Sequence, residues 1–293
     1  MAKEPEEHKM SFMEHLQELR SRLFKSAIAV VAGVTVAWNY KEALLAFMLR
    51  PLEIAHYCRT RACRPTVILH WMIHTQEFVR VRSRPGVGPG PSLHFAGPTD
   101  AFVAYLKLSA IGGLILALPV VFYQVWSFIS PGLYARERRY VYPFVGFSTL
   151  FFVGGSLFGY YGVFPIGYEW FLGFAGSVPG TSAQIIPTIM MEEYLGFTSQ
   201  MLLAFGVVFE LPLFIFFLSL AGIVTGKQLF KFGRYFTVIA FVLAAILTPS
   251  TDVYSQVMLG GPLVFLYFVA AALATVFGPK ESRGFRKGLV KRK

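Results

Sequence analysis

Long apolar stretches separated by short polar breaks organise this chain. Asp, Glu, Lys and Arg are absent from 26–40, 108–135, 140–168, 194–209, 211–226, 235–251 and 253–279. A helix needs about 20 apolar residues to cross a bilayer core. The two stretches between 194 and 226 are separated by a single carboxylate, Glu210, and read as one span. Segment 170–191 is uncharged too, but Ser177, Pro179, Gly180, Thr181, Ser182, Gln184 and Pro187 are turn and loop residues. The pattern predicts six helices, at 24–43, 100–127, 139–165, 193–221, 234–248 and 254–277. The fifth is short. Its apolar part, Tyr235 to Leu247, would reach about 20 Å at helical rise, against a core of about 30 Å. A thinned bilayer or a wet recess is expected there.

Ahead of the first span, Ser11 and Glu14 fit a capping box. Phe12, Leu16, Leu19 and Leu23 recur at helical spacing and form one apolar stripe, with Glu14, Glu18, Arg20 and Arg22 as polar neighbours. Residues 1–23 therefore read as an amphipathic cytoplasmic segment lying on the leaflet surface.

Composition agrees with a membrane protein. Of 293 residues, 55% are hydrophobic and 15% charged, and the mean hydropathy is +0.55. The 30 Phe and 14 Tyr exclude disorder, and the low charge excludes an ordinary soluble enzyme. No cleavable signal peptide is expected, since the start is charged and acidic. The net charge of +11 would suggest nucleic acid in a soluble protein. Its distribution points instead to basic loops at an anionic membrane surface, with lipids rather than nucleic acid as the partner. Lys and Arg cluster before the first span, at Arg136, Arg138 and Arg139, at Lys227, Lys231 and Arg234, and in the tail 279–293. Loops 166–192 and 249–253 carry none. Both termini are therefore expected in the cytoplasm. Loop 44–99 disagrees, being external yet rich in Arg, but long loops are translocated largely regardless of charge. The chain reads as one integral membrane domain over 1–293, all-α and polytopic, with the fifth helix short and the sixth at the margin of being so.

Several residues could carry chemistry. Glu137 sits among Arg136, Arg138 and Arg139 in a turn that begins Trp126-Ser127-Phe128. It is either a local ion pair or a carboxylate offered to a guanidinium, which binds carboxylate through two parallel hydrogen bonds. Glu210 lies in the fourth span, where a charge costs about 2.5–3.5 kcal/mol or more, so it is protonated or faces a polar interior. Pro212 nearby is expected to kink the span. Lys107 is expected to reach out along its helix. Gly155 and Gly159 form a small-xxx-small pair suited to helix packing. Asp252 is placed to cap the sixth helix. In the long loop, Cys58 and Cys63 are either a disulfide or free thiols. Together with His70 and His74 they match no zinc-finger spacing, so no metal is expected. No nucleotide-binding, serine-hydrolase or zinc-protease motif occurs, so neither an enzyme nor an ATP-driven pump is expected, and no cofactor.

Four ordered stretches resemble a known family. They are His15-Leu16-Gln17-Glu18-Leu19-Arg20-Ser21-Arg22-Leu23, Pro119 to Arg139, Ala204 to Pro212 and Leu247 to Gln256. Together they resemble TatC, the large subunit of the twin-arginine protein translocase, from about residue 10 to 278. The resemblance implies a receptor for signal peptides bearing two consecutive arginines. Such a receptor serves the export of folded proteins across the bacterial inner membrane on the proton-motive force. It implies that Glu18 and Glu137 bind the arginine pair, with Arg20 and Phe128 beside them. It implies that Glu210 is an intramembrane polar residue, and that Thr248, Gln256 and Asp252 lie where single-span TatA and TatB partners touch. It also implies self-association in a larger complex. Asp100 stands where many members carry Glu, with the charge kept. The rival reading is a proton-coupled transporter of a small solute with Glu210 as the proton carrier, but the paired repeats usual in transporters are missing.

Overall fold

The computed structural model describes residues 12–60, 92–129, 141–220, 222–248 and 253–277. Its helices are α1 (Phe12–Asn39), α2 (Lys41–Thr60), α3 (Asp100–Ile129), α4 (Val141–Phe158), α5 (Phe164–Leu172), α6 (Met191–Leu220), α7 (Gly226–Leu247) and α8 (Val253–Phe277). A π-helical turn, Gly159–Val163, joins α4 to α5 without a break, so the third span runs to Leu172. The strands are two residues long. β1 (Leu93–His94) pairs in parallel with β4 (Ile189–Met190), and β2 (Gly176–Ser177) pairs antiparallel with β3 (Gln184–Ile185). Six helices among the described residues are long and apolar enough to cross a membrane, as the pattern predicts.

Four boundaries differ from the sequence reading. The amphipathic segment and the first span are one unbroken helix, α1, because nothing between Leu23 and Ala27 interrupts the backbone ladder. The first span, expected to run to 43, ends at Asn39, and a 20-residue helix from Lys41 to Thr60 occupies the start of the region 44–99 that was read as loop. Lys41, Glu42, Arg50, Glu53 and Pro51 hid it, yet Met48, Leu52 and Ala55 make a buried stripe. The third span continues through the aromatic run Tyr168–Leu172, which was read as the start of a loop. The fifth helix starts at Gly226, not 234, and has 22 residues. Thr225 and Gln228 form a reciprocal capping box there, so Lys227, Lys231 and Arg234 lie on helix rather than in a loop. At helical rise it is about 33 Å long. It remains the shortest of the six spans, followed by the sixth.

The chain sorts into two compact units. The first contains Met1–Tyr40 and Ser109–Thr149, the second Lys41–Leu108 and Leu150–Lys293. In the first, α1 meets α3 at Gly33 and Gly113, where a methyl on either glycine would run into the other helix's backbone. Trp126 ties α3 to α4, its indole donating to the Ser148 hydroxyl at 2.8 Å.

In the second unit the third and fourth spans pack through small residues. A Cβ on Gly155 would lie 2.6 Å from Phe205 O, and one on Gly206 would lie 2.6 Å from the Phe152 ring. Gly159 faces the Phe205 ring, and the buried Ser156 hydroxyl donates to Leu202 O at 3.1 Å. The expected small-xxx-small contact is therefore present. α7 and α8 approach closely where Gly226 faces Thr275 and Gly233 faces the Phe268 ring. Tyr267 stacks on Phe236 at 3.8 Å and donates to Leu229 O at 2.8 Å. The fourth span ends where Gly222 takes φ +71°, with Gly222 N–H on Ser219 O and Ile223 N–H on Leu218 O. That pairing satisfies the last carbonyls of α6, and only glycine enters this conformation without strain.

Gly155→Leu should lower the unfolding free energy by about 1–3 kcal/mol, since overpacking forces the two helices apart. The neighbouring Gly154→Leu, whose Cβ meets nothing within 4 Å, should be near neutral. Thermal unfolding of the two detergent-purified variants checks this.

Candidate functional site

The most polar cluster in the first unit is built on two helices. Along α1, His15, Glu18 and Arg22 recur at spacings of three and four and form one stripe. Along α3, Gln124 and Phe128 are one turn apart. The two stripes meet. His15 stacks on Phe128 with ring centroids 4.4 Å apart and planes 16° from parallel. Arg22 lies across Glu18, donating from Nε at 2.9 Å and from Nη2 at 2.5 Å to the same oxygen, Oε1. Its Nη1 reaches Gln124 Oε1 at 3.4 Å, a long contact that joins the helices.

The second carboxylate oxygen differs. Glu18 Oε2 is cut off from solvent and accepts no hydrogen bond among the described residues. A buried acceptor without a donor costs about 1–3 kcal/mol. Oε2 becomes available to a further cationic donor, with Arg22 still on Oε1, only when the groups that shield it move aside.

The apolar stripe behaves oppositely to the usual arrangement of a water-soluble helix. Leu16, Leu19 and Leu23 are exposed, while the polar stripe makes the contacts. Arg20 lies two residues from Glu18, on another side of α1, where its guanidinium sits 5.8 Å over the Phe24 ring. The structure thus brings Glu18 and Phe128 to one cluster and sets Arg20 apart from it. Sequence reasoning missed His15, Arg22 and Gln124 as members. The 15/18/22 spacing carries the signal, but the leucine stripe on the same helix is the stronger pattern. Glu137 lies outside the described residues, as do Ser11, Asp252, Cys63 and the tail 279–293. The side chain of Cys58 does too.

Glu210 lies in α6, half-buried, with one oxygen shut off from solvent. It is ten residues from the Leu220 end, about 15 Å by helical rise, and α6 continues through Pro212. Lys107 forms an ion pair with Glu192, Nζ to Oε1 2.5 Å, linking the start of α3 to the start of α6. Asp100 Oδ2 accepts the N–H groups of Ala96 and Gly97 at 3.0 and 2.7 Å, closing the turn that starts α3.

Thr248 is buried, 4% exposed, and terminates α7. Its hydroxyl and its N–H both donate to Ala244 O at 2.8 Å. The exposed Gln200 of α6 donates to Leu247 O at 2.8 Å, a tie the sequence reading did not anticipate. Gln256 is half-buried in the first turn of α8.

Comparison with known proteins decides the family. The model of the Sec-independent protein translocase protein, TatC, matches residues 14–262. The Sec-independent protein translocase protein TatC of Desulforapulum autotrophicum is 42% identical over 276 residues, covering 94% of this chain and 88% of that one. This chain belongs to the TatC family. The TatC of Aquifex aeolicus is 33% identical, with 93% of this chain and 98% of that one covered. A crystal structure of the twin-arginine translocase receptor TatC superposes with a TM-score of 0.69 at 31% identity, covering 90% of this chain and 99% of that one. A second crystal structure of that receptor, in the detergent DDM, gives 0.67 at the same identity. A TatC protein is a translocase component, not an enzyme. The match supports that reading over the solute transporter built on Glu210.

The family match begins at residue 14 and so takes in the cluster on α1. Within this TatC chain, Trp126 sets the end of α3 that carries Phe128. Ser148→Ala should strand the buried indole N–H and cost about 1–3 kcal/mol. The double variant Trp126→Phe/Ser148→Ala should recover part of that, because the stranded donor is gone. Chemical denaturation of the three proteins measures both steps.

Proposed function

We propose that this TatC-family protein is the membrane receptor for twin-arginine signal peptides. In this reading it forms the core of a translocase that exports folded proteins on the proton-motive force. The observation that carries the reading is Glu18, whose Oε1 is held by Arg22 while Oε2 waits without a donor. A guanidinium is more weakly hydrated than an ammonium and so gives up its water at less cost beside a shielded oxygen, which favours an arginine pair over a lysine pair. Arg22 then acts as an orienting cation that leaves Oε2 unpaired, and an arriving peptide displaces the groups that shield it. Phe128, stacked on His15, walls one side, and Glu137 supplies the second carboxylate. Arg20 stands outside this cluster and contributes to the positive surface rather than to the contact.

The same reading puts both termini in the cytoplasm of a bacterial inner membrane, so that α1 presents Glu18 to arriving peptides. The single-span subunits TatA and TatB dock where α7 ends and α8 begins, along Gln256 and Asp252. Thr248 acts there through the shape of the helix end, since its hydroxyl is already spent on Ala244 O. Copies of the chain associate in a larger assembly.

A labelled peptide with Arg-Arg should bind the purified protein more tightly than the same peptide with Lys-Lys. Equal, salt-sensitive binding of the two would overturn the receptor site. Glu18→Ala should weaken Arg-Arg binding by about 1.5–3 kcal/mol, the worth of a charge-assisted contact. Glu210→Gln should fold normally and bind the peptide, yet fail in export or in partner assembly. Wild-type export by that variant would reduce Glu210 to a packing residue.

A further inference from the structure

α2 carries a proline in its middle. Pro51 has no N–H, so the carbonyl four residues earlier, Phe47 O, loses its helical donor. In a chain with little access to water, that carbonyl needs another. The Tyr160 hydroxyl donates to it. The Tyr160 ring also lies flat against the Phe47 ring, centroids 4.3 Å apart and planes 3° from parallel. Tyr160 is fully buried and belongs to the π-helical turn Gly159–Val163 of the third span, an irregularity that local sequence does not require for crossing a membrane. The next carbonyl of α2, Met48 O, receives the Tyr194 hydroxyl from the fourth span at 2.6 Å. Tyr194 is itself fixed. Thr198 donates to Tyr194 O at 2.7 Å, and Tyr168 holds Thr198 at 2.6 Å.

We infer that the proline gap of α2 is a docking point, and that Tyr160 and Tyr194 are positioning residues that latch α2 onto the third and fourth spans. Tyr160 replaces the donor that Pro51 removes. Tyr194 adds a second bond one carbonyl further on. Met48, Leu52, Ile54 and Ala55 supply the buried apolar contact around these bonds, but apolar contact alone would let the helix slide or rotate. Two carbonyl-directed hydrogen bonds set one register. This inference does not depend on the receptor reading.

The test is hydrogen exchange of the α2 amides, read by mass spectrometry on the full chain in detergent. Tyr160→Phe keeps the ring and removes the donor, and should speed exchange across α2 about tenfold. Pro51→Ala restores an N–H four residues after Phe47. In that background Tyr160→Phe should change exchange by less than about twofold. Tyr194→Phe, whose acceptor is not the carbonyl freed by the proline, should loosen α2 equally in both backgrounds. Equal tenfold effects of Tyr160→Phe in both backgrounds would mean that the hydroxyl bond to Phe47 O holds α2 with or without the proline, and would overturn the pairing with Pro51. Pro51→Leu restores the same N–H and replaces Pro51→Ala if that variant does not fold. Unchanged exchange in Tyr160→Phe alone would overturn the latch whatever the proline variants do.

Discussion

A polar group inside a bundle of membrane helices has no water to fall back on, so each must find a partner in the protein. Much of this structure follows from that constraint. The hydrogen bonds that tie one helix to another run mostly from a side chain to a backbone carbonyl: Tyr160 to Phe47, Tyr194 to Met48, Ser156 to Leu202, Gln200 to Leu247, Tyr267 to Leu229. Carbonyls keep a second lone pair after the helical ladder is complete, so they accept without cost to the helix. Apolar side chains attract lipid tails and one another about equally. Register between helices is therefore set by these bonds rather than by the apolar surface around them.

Close packing supplies the rest. Gly155, Gly159 and Gly206 let the third and fourth spans approach until aromatic rings rest on backbone, and Gly226 and Gly233 of α7 do the same against α8. Dispersion gained over a long, close contact replaces the hydrophobic effect that would drive such pairing in water. The same preference explains α1, whose leucines stay uncovered while His15, Glu18 and Arg22 turn to α3. In this environment a polar stripe is the adhesive one.

Glu18 shows how a site arises from that arrangement. A carboxylate drawn to a helix contact by its need for partners is half satisfied by Arg22, four residues on, and retains one acceptor. It stands on a regular helix, where rotamer and direction are held more firmly than on a loop.

The sequence by itself determined the number of spans and the family. Apolar length is a one-dimensional quantity, and motifs such as His15 to Leu23 are legible along the chain alone. It did not show the helix hidden by Pro51 and four charges between Lys41 and Glu53, because a break and a buried stripe look alike until a partner is in place. It did not show that the fifth helix reaches back to Gly226, since Lys227, Lys231 and Arg234 read as loop while a two-residue capping box decided otherwise. Nor did it separate Arg20 from Arg22, which differ by two positions but by half a turn of helix. Those outcomes depend on which groups meet across space. Only tertiary structure decides that, because the donor that completes a carbonyl such as Phe47 O lies 113 residues away.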